Sequence, residues 1–575
     1  MLAVLCYVLV VLSTLVDSAT LIVDTPLGKI RGMEVTANNS KTYWSFRGIP
    51  YAKPPLGKLR FAKPVALTYQ DKIIDGTAPG KSCIQAPMIL SKDVTSEDCL
   101  FLNVYTKHVD LNNPKKVLVW IHGGAFLFGS SSIDAGTFVT DHDVIVVTLN
   151  YRLGLLGFFS TEDNASPGNY GLWDQAMAIK WVKYNIGAFG GDPDDITISG
   201  ESAGGGSVSL LSLSPVTKGL FTKAYSQSGA ANSLFAKYSN PRSAALEIAK
   251  SFNCSDGHEI KGNTTSSKLI IDCLRTIPAD AFVHLNLFEG FRAKMTPRAD
   301  GEFLPRTPLS LIKDTYYLEQ IGFYNRTYLV GLNNNEKTTI EPFHYGTLQA
   351  IFENVTLNDS QKEKLWQDYQ QKTYSTVISD GLELETLPNH ILQTVVDWYE
   401  DRNTIYTAIP EIVTDLQFYI PTFQVLNAIA RSKTTDAWLL YFNYYPHYMR
   451  GDARGMVHAL DLSYWLDTPA DELQKMLSSK TPTNFDARDK RVKARLAAIV
   501  ASFVNNGHPS LALRDIIPTG WPTYDLLHAQ YLDFNESPTV QTHLMREQRE
   551  LWEKTVASLI ARSQHNTPNH SDPCS

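Results

Sequence analysis

Cysteine is scarce in this chain of 575 residues: Cys6, Cys83, Cys99, Cys254, Cys273 and Cys574 are all there are. So few exclude a small disulfide scaffold. None is spaced C-x-x-C, which argues against a zinc ribbon or a thioredoxin-type pair. Positive charge is also in short supply. Lys and Arg number 52 against 59 Asp and Glu, a net charge of −7. A mildly acidic chain offers no electrostatic footprint for nucleic acid, and none is expected as a partner. Runs of five like charges, coiled-coil heptads and repeats of 20 to 50 residues are absent too. Neither H-E-x-x-H nor a P-loop occurs, so no metal and no organic cofactor is expected. Past the first residues no apolar run reaches the roughly 20 residues of a spanning helix, and no lipidation signal closes the chain.

What is present begins with an address label. Leu2 to Val16 is almost wholly apolar and is followed by the small residues Ser18 and Ala19. This reads as a signal peptide over 1–18, giving a secreted, extracellular protein with no stable membrane insertion after removal of the leader. In an oxidising compartment the four middle cysteines read as two local bridges. A closed loop of about 15 residues contributes about 3 kcal/mol. Cys574 is left over, to pair with another chain or stay free, and the oligomeric state is open. Sequons agree with secretion, and the acceptors expected to be used are Asn38, Asn263, Asn325, Asn354 and Asn358. At Asn164 and Asn535 the sequon serine is followed by proline, and Asn253 precedes a candidate bridging cysteine.

Short apolar runs alternate with amphipathic stretches. Lys116 to Ile121, Asp143 to Leu149, Ile196 to Ser199, Thr327 to Val330 and Trp438 to Phe442 read as buried strands. Asn169 to Asn185 carries Leu172, Ala176, Ile179 and Val182 at helical spacing. Near-continuous apolar strands imply a sheet covered on both faces. Their alternation with helices implies an α/β fold with a mainly parallel sheet. Residues 335–435 read as helical cover, Val540 to Ala561 as a last helix. No Gly/Ser-rich or Pro-rich linker divides the chain.

The strongest chemical signal is Gly200-Glu201-Ser202-Ala203-Gly204, which stands between a strand and a helical stretch. G-x-S-x-G in that context is a nucleophile elbow: a strained turn projects the hydroxyl of Ser202. The helix start and the Ala203 N–H then face a developing oxyanion. His122-Gly123-Gly124-Ala125 follows the strand ending at Ile121. Its glycine N–H groups, Gly123 and Gly124, would complete an oxyanion hole with Ala203. His122 reads as a structural histidine, and Phe126 and Phe128 as either gorge lining or core. A serine nucleophile needs a histidine base and an orienting acid, in the order Ser, acid, His. His284, His344, His390, His447, His458, His508, His528 and His543 all lie well beyond Ser202. His458 stands in a loop after a late strand, and Glu336 after the strand Thr327 to Val330; strand ends are where such sheets bind ligands. From the residues alone neither choice excludes the others.

With these residues in place, the sequence resembles the type-B carboxylesterase and cholinesterase family of α/β-hydrolases over nearly the whole mature chain. The markers are Phe46-Arg47-Gly48-Ile49-Pro50, Ser96-Glu97-Asp98-Cys99-Leu100, Asn150-Tyr151-Arg152-Leu153-Gly154 and Phe189-Gly190-Gly191-Asp192-Pro193. The resemblance implies one α/β-hydrolase domain over 19–562, with a polar tail at 563–575. It implies the triad Ser202, Glu336 and His458, the bridges Cys83–Cys99 and Cys254–Cys273, and ion pairs Arg47–Glu97 and Arg152–Asp174. It implies hydrolysis of a small apolar ester through an acyl-enzyme. Lys337 departs from the family's frequent glycine after the acid. Non-catalytic relatives of the neuroligin type commonly lack the serine, which is present here. The loop from Cys83 to Cys99 holds no aromatic residue, against the tryptophan of a choline site. Arg60-Phe61, Asp174-Gln175 and Gly455-x-x-His458-x-x-Asp461 also resemble juvenile hormone esterases, which usually carry Gln where Glu201 stands.

Overall fold

The computed structural model describes residues 19–85, 94–237, 241–255, 264–285, 288–289, 292–339, 341–403, 407–446, 456–466 and 485–565. One sheet of 13 strands runs through them. In chain order these are β1 Thr20–Thr25, β2 Gly28–Thr36, β3 Thr42–Pro50, β4 Gln70–Asp75, β5 Phe101–Thr106, β6 Lys115–Ile121, β7 Ile145–Leu149, β8 Gly191–Glu201, β9 Lys223–Gln227, β10 Thr327–Asn333, β11 Ala437–Phe442, β12 Gln530–Phe534 and β13 Thr539–Thr542. From β7 the sheet passes through β6, β8, β9, β10 and β11 to β12, all parallel neighbours. Antiparallel pairs close both ends: β1, β2, β3 and β5 on one side, β13 on the other. This is the expected α/β-hydrolase architecture, with its parallel strands in the centre.

The strands read as continuous apolar runs because both faces are covered. Side chains alternate across the sheet, and two cores result. Val117, Val119, Ile121, Ile196 and Ile198 belong to one; Leu118, Trp120, Tyr225, Trp438 and Leu440 belong to the other. The helices that position the site are α1 Tyr170–Asn185, α2 Ala203–Leu213, α3 Asp359–Leu382, α4 Asn389–Glu400, α5 Ala408–Thr414, α6 Ile420–Ile429 and α7 Ala487–Asn506. Between α5 and α6 the helix widens into a π-turn, Asp415–Tyr419, where the Ile420 N–H reaches back to the Asp415 carbonyl. Pro421 explains the position: it has no N–H for the Gln417 carbonyl and its ring crowds it. A second π-turn, Glu550–Val556, interrupts the last helical stretch.

Two expectations are corrected. The last helical stretch does not begin at Val540: Thr539–Thr542 is β13, paired with β12 in register Leu532↔Val540, and helix starts at Arg546. It then runs on to His565. Arg47 does not pair with Glu97. Its guanidinium donates to the Thr77 carbonyl at 2.7 Å, and Glu97 is held by a two-pronged bond from Arg60, at 2.5 and 2.7 Å. Arg60 wins because its third arm reaches the carbonyls of Leu274 and Ile277. It thereby ties the first bridged loop to the helix Thr264–Leu274, while Arg47 is held at Thr77. Phe126 is core, wholly buried against Phe158. The bridges Cys83–Cys99 and Cys254–Cys273 are both formed, and Arg152–Asp174 is a buried pair.

Among the described residues no helix is long and apolar enough to cross a membrane. Asn38, Asn325 and Asn358 are exposed and Asn354 half-buried. Asn263, Cys574 and the leader 1–18 lie outside the described residues.

Candidate active site

Ser202 stands between β8 and α2 with φ 59° and ψ −123°. This strained turn is rare for a residue bearing a Cβ and is a common device at functional sites. From Ile196 to Ser214 every residue is buried except Ser202, which is half-buried. The turn is locked by the Ser202 N–H donating to the Gln227 carbonyl and the Gly206 N–H donating to the Ser202 carbonyl. Close packing demands the flanking glycines: a Cβ on Gly204 would stand 2.1 Å from the Ile121 carbonyl oxygen.

Gly123 and Gly124 lie half-buried at the end of β6 beside this turn. A Cβ on Gly123 would come within 3.1 Å of Ser202 Cβ, so the loop and the serine are neighbours. No acceptor among the described residues takes the N–H of Gly123 or Gly124, and Ala203 is the first residue of α2, where N–H groups are unsatisfied by the helix itself. The glycine loop and the start of α2 at Ala203 thus lie side by side. His122 is part of the frame. Burial pushes it down to about 4, its neutral ring stacks on Tyr151 at 4.4 Å, and Nδ1 donates to the Gly123 carbonyl at 2.8 Å.

His458 and Glu336 come together from loops 122 residues apart. Glu336 Oε2 accepts from His458 Nδ1 at 2.7 Å. Its other oxygen accepts from the Ser228 hydroxyl at 2.6 Å and the Asn333 N–H at 2.7 Å. The two loops are stitched to each other. The Asn335 N–H donates to the Met456 carbonyl, Met456 N–H donates to the Asn334 side chain, and Asn335 bridges to Val457 in parallel. Glu336 is wholly buried and His458 nearly so. The remaining imidazole nitrogen, Nε2, lies 3.1 Å from Glu201 Oε1, on the residue preceding Ser202.

Two further carboxylates therefore crowd the histidine. Asp461, one short turn past His458, accepts from Gln227 Nε2 and Asn333 Nδ2. Burial would lower the His458 imidazole, but the charges of Glu201, Glu336 and Asp461 outweigh it and hold the ring above its ordinary value. Burial lifts Glu201 well above the carboxylate range, and Asp461 and Glu336 add to the lift. Three carboxylates crowded into a dry pocket raise the cost of charging each of them, and Glu201 and His458 stand in direct contact at 3.1 Å. Sequence reasoning did not find Ser228, Asn333, Gln227 or Asp461 as members of the site. The only available signal was that polar residues stand where apolar strands end.

The π-turn forms a wall. The Phe418 ring packs on His458 at 4.8 Å and on Phe235 at 5.8 Å. The Tyr419 hydroxyl donates to the Asn333 carbonyl at 3.2 Å. Lys337, which follows the acid, reaches Glu411 on α5 at 3.1 Å. A strained half-buried serine, an imidazole bonded to a buried carboxylate, a glycine loop beside the serine and an apolar wall are the parts that acyl transfer requires.

Comparison with known proteins points the same way. The profile of the carboxylesterase family matches residues 19–552. The acylcarnitine hydrolase of Mus musculus is 31% identical over 96% of this chain and 93% of its own. The cocaine esterase of Homo sapiens is 31% identical over 97% and 95%. The bile salt-activated lipase of Bos taurus is 30% identical over 89% and 84%.

Proposed function

Because this chain belongs to the carboxylesterase family, we propose that it is a secreted serine carboxylesterase that works through an acyl-enzyme on Ser202. The observation that carries the mechanism is the engagement of His458 Nδ1 by Glu336 at 2.7 Å. That bond fixes the tautomer and leaves Nε2 as the nitrogen that takes a proton. In this reading the Ser202 hydroxyl attacks the ester carbonyl carbon as His458 removes its proton. The oxyanion is held by the N–H groups of Gly123, Gly124 and Ala203, one such donor contributing about 3 kcal/mol to the transition state. Collapse of the tetrahedral intermediate breaks the ester C–O bond, and His458 protonates the departing alkoxide. Water then repeats the sequence on the acyl group and frees the carboxylic acid. Glu336 orients the imidazole and stabilises its cationic form.

Secretion is supported by the apolar leader before residue 19, the two bridges, and exposed sequons at Asn38, Asn325 and Asn358. The substrate class is a small apolar ester, suited to a wall made of Phe418 and Phe235. The test is hydrolysis of p-nitrophenyl and naphthyl esters by the purified protein, with a juvenile hormone ester in the same panel. Wild type is expected to turn over and to be labelled on Ser202 by a fluorophosphonate. Ser202→Ala is expected to lose both. An inactive wild type, or an active Ser202→Ala, overturns the reading.

A further inference from the structure

Behind the wall lies a buried polar chain that the acyl-transfer chemistry does not use. The Tyr399 hydroxyl, near the end of α4, donates to Asp415 Oδ2 in the first π-turn. The same hydroxyl accepts from the indole N–H of Trp552, 2.9 Å away in the second π-turn. Asp415, Tyr399 and Trp552 are all at least 95% buried. Burial lifts the Asp415 carboxyl to about 7 despite the bond from Tyr399, and Glu411 adds to the lift. A carboxylate in such surroundings is costly unless it is hydrogen-bonded, so the position of the π-turn depends on Tyr399. Three residues on, Phe418 carries the ring that meets His458 and Phe235, and Tyr419 meets the acid loop through Asn333. The π-turn is therefore anchored on one side by Tyr399 and on the other touches His458 and the strand end that leads into Glu336.

We propose that Tyr399, bridging Asp415 and Trp552, is a positioning residue that fixes Phe418 against His458 and so sets which acyl chains the ester site admits. The proposal rests on the esterase reading. A π-turn has a wider, less tightly bonded backbone than the α-helix around it. Its side chains take their placement from what they pack against, and here its one charged residue, Asp415, is held by this chain. Loss of the hydroxyl leaves Asp415 and the Trp552 N–H without their shared partner while keeping the tyrosine ring. The turn then settles differently and Phe418 moves with it.

The experiment compares kcat/KM for p-nitrophenyl acetate, butyrate and octanoate in wild type, Tyr399→Phe, Phe418→Leu and the double variant. Tyr399→Phe is expected to change the octanoate-to-acetate ratio about tenfold, mostly through KM, a pocket effect of the size that a change in apolar fit produces. The rate of fluorophosphonate labelling and the kcat on acetate stay within about twofold. The double variant changes the ratio by less than the product of the single effects, because both act through one ring. Asp415→Asn keeps an acceptor for the hydroxyl and retains the wild-type ratio, whereas Asp415→Leu shifts it as Tyr399→Phe does. Where Tyr399→Phe does not accumulate as folded protein, the two Asp415 variants decide. An unchanged ratio, an equal fall on all three esters, or independent effects of Tyr399 and Phe418 overturns the proposal. A wild type that hydrolyses no ester overturns the esterase reading itself, a separate outcome from an active wild type whose ratio ignores Tyr399.

Discussion

Two clusters of buried charge stand at the ends of the central strands, and they differ in balance. Arg152, just after β7, meets Asp174 on α1 through two parallel bonds of 2.7 Å, with a third from the Arg152 N–H. Cation and anion are matched one to one and sealed in. Around His458, three carboxylates surround a single imidazole. The first cluster has no group left to do chemistry; its charges are spent on each other. The second has more acids than cations, and one of those acids, Glu201, immediately precedes the half-buried Ser202. From sequence both look like charged residues in marker motifs. Only the count of charges in contact separates a fastener from a proton-handling site.

Breaking each cluster should give opposite signatures. The largest effect is expected from Glu336→Gln, which keeps the shape but lets His458 take the wrong tautomer: kcat falls by about 10⁴, read in ester hydrolysis, with the unfolding midpoint little changed. Arg152→Met should do the reverse. Leaving Asp174 buried and alone costs about 3–5 kcal/mol of stability, measured by denaturant unfolding, while turnover per folded molecule is retained. Glu201→Gln sharpens the contrast through pH. The base works when His458 is neutral, and the neighbouring carboxylates raise the pH at which it becomes so. Removing the Glu201 charge lowers that pH, so the acidic limb of kcat/KM should move down by roughly half to one unit; a limb that moves up contradicts the cluster as described. The smallest effect is expected from Lys337→Met. Its pair with Glu411 is partly exposed, worth about 0.2–1 kcal/mol, and turnover should change less than about threefold.

How much of this was legible beforehand depends on how far apart the contacts are in the chain. The elbow lies within one strand-turn-helix, and Ser202, Gly123, Gly124 and Ala203 could be named from local pattern and the resemblance. The bridges span loops of 16 and 19 positions and were equally accessible. Arg47–Glu97 was not: both residues sit in marker motifs, yet the partner of Glu97 is Arg60, chosen by carbonyls more than 200 positions away. Val540 misled because a short strand with one apolar residue facing β12 carries the same apolar signal as the first turn of a helix. Ser228, Asn333 and Asp461 are ordinary polar residues until the sheet brings three loops to one point.

The sequence by itself determined the α/β alternation, the strained serine turn and the glycines around it, because those depend on neighbours a few positions away and on backbone sterics. Tertiary structure alone decided which histidine meets which acid, which arginine holds Glu97, and that a tyrosine on α4 should anchor the turn carrying Phe418. Those choices are made by burial: once the sheet closes and water is excluded, each charge and hydroxyl must find a partner among whatever residues the fold has delivered to its side.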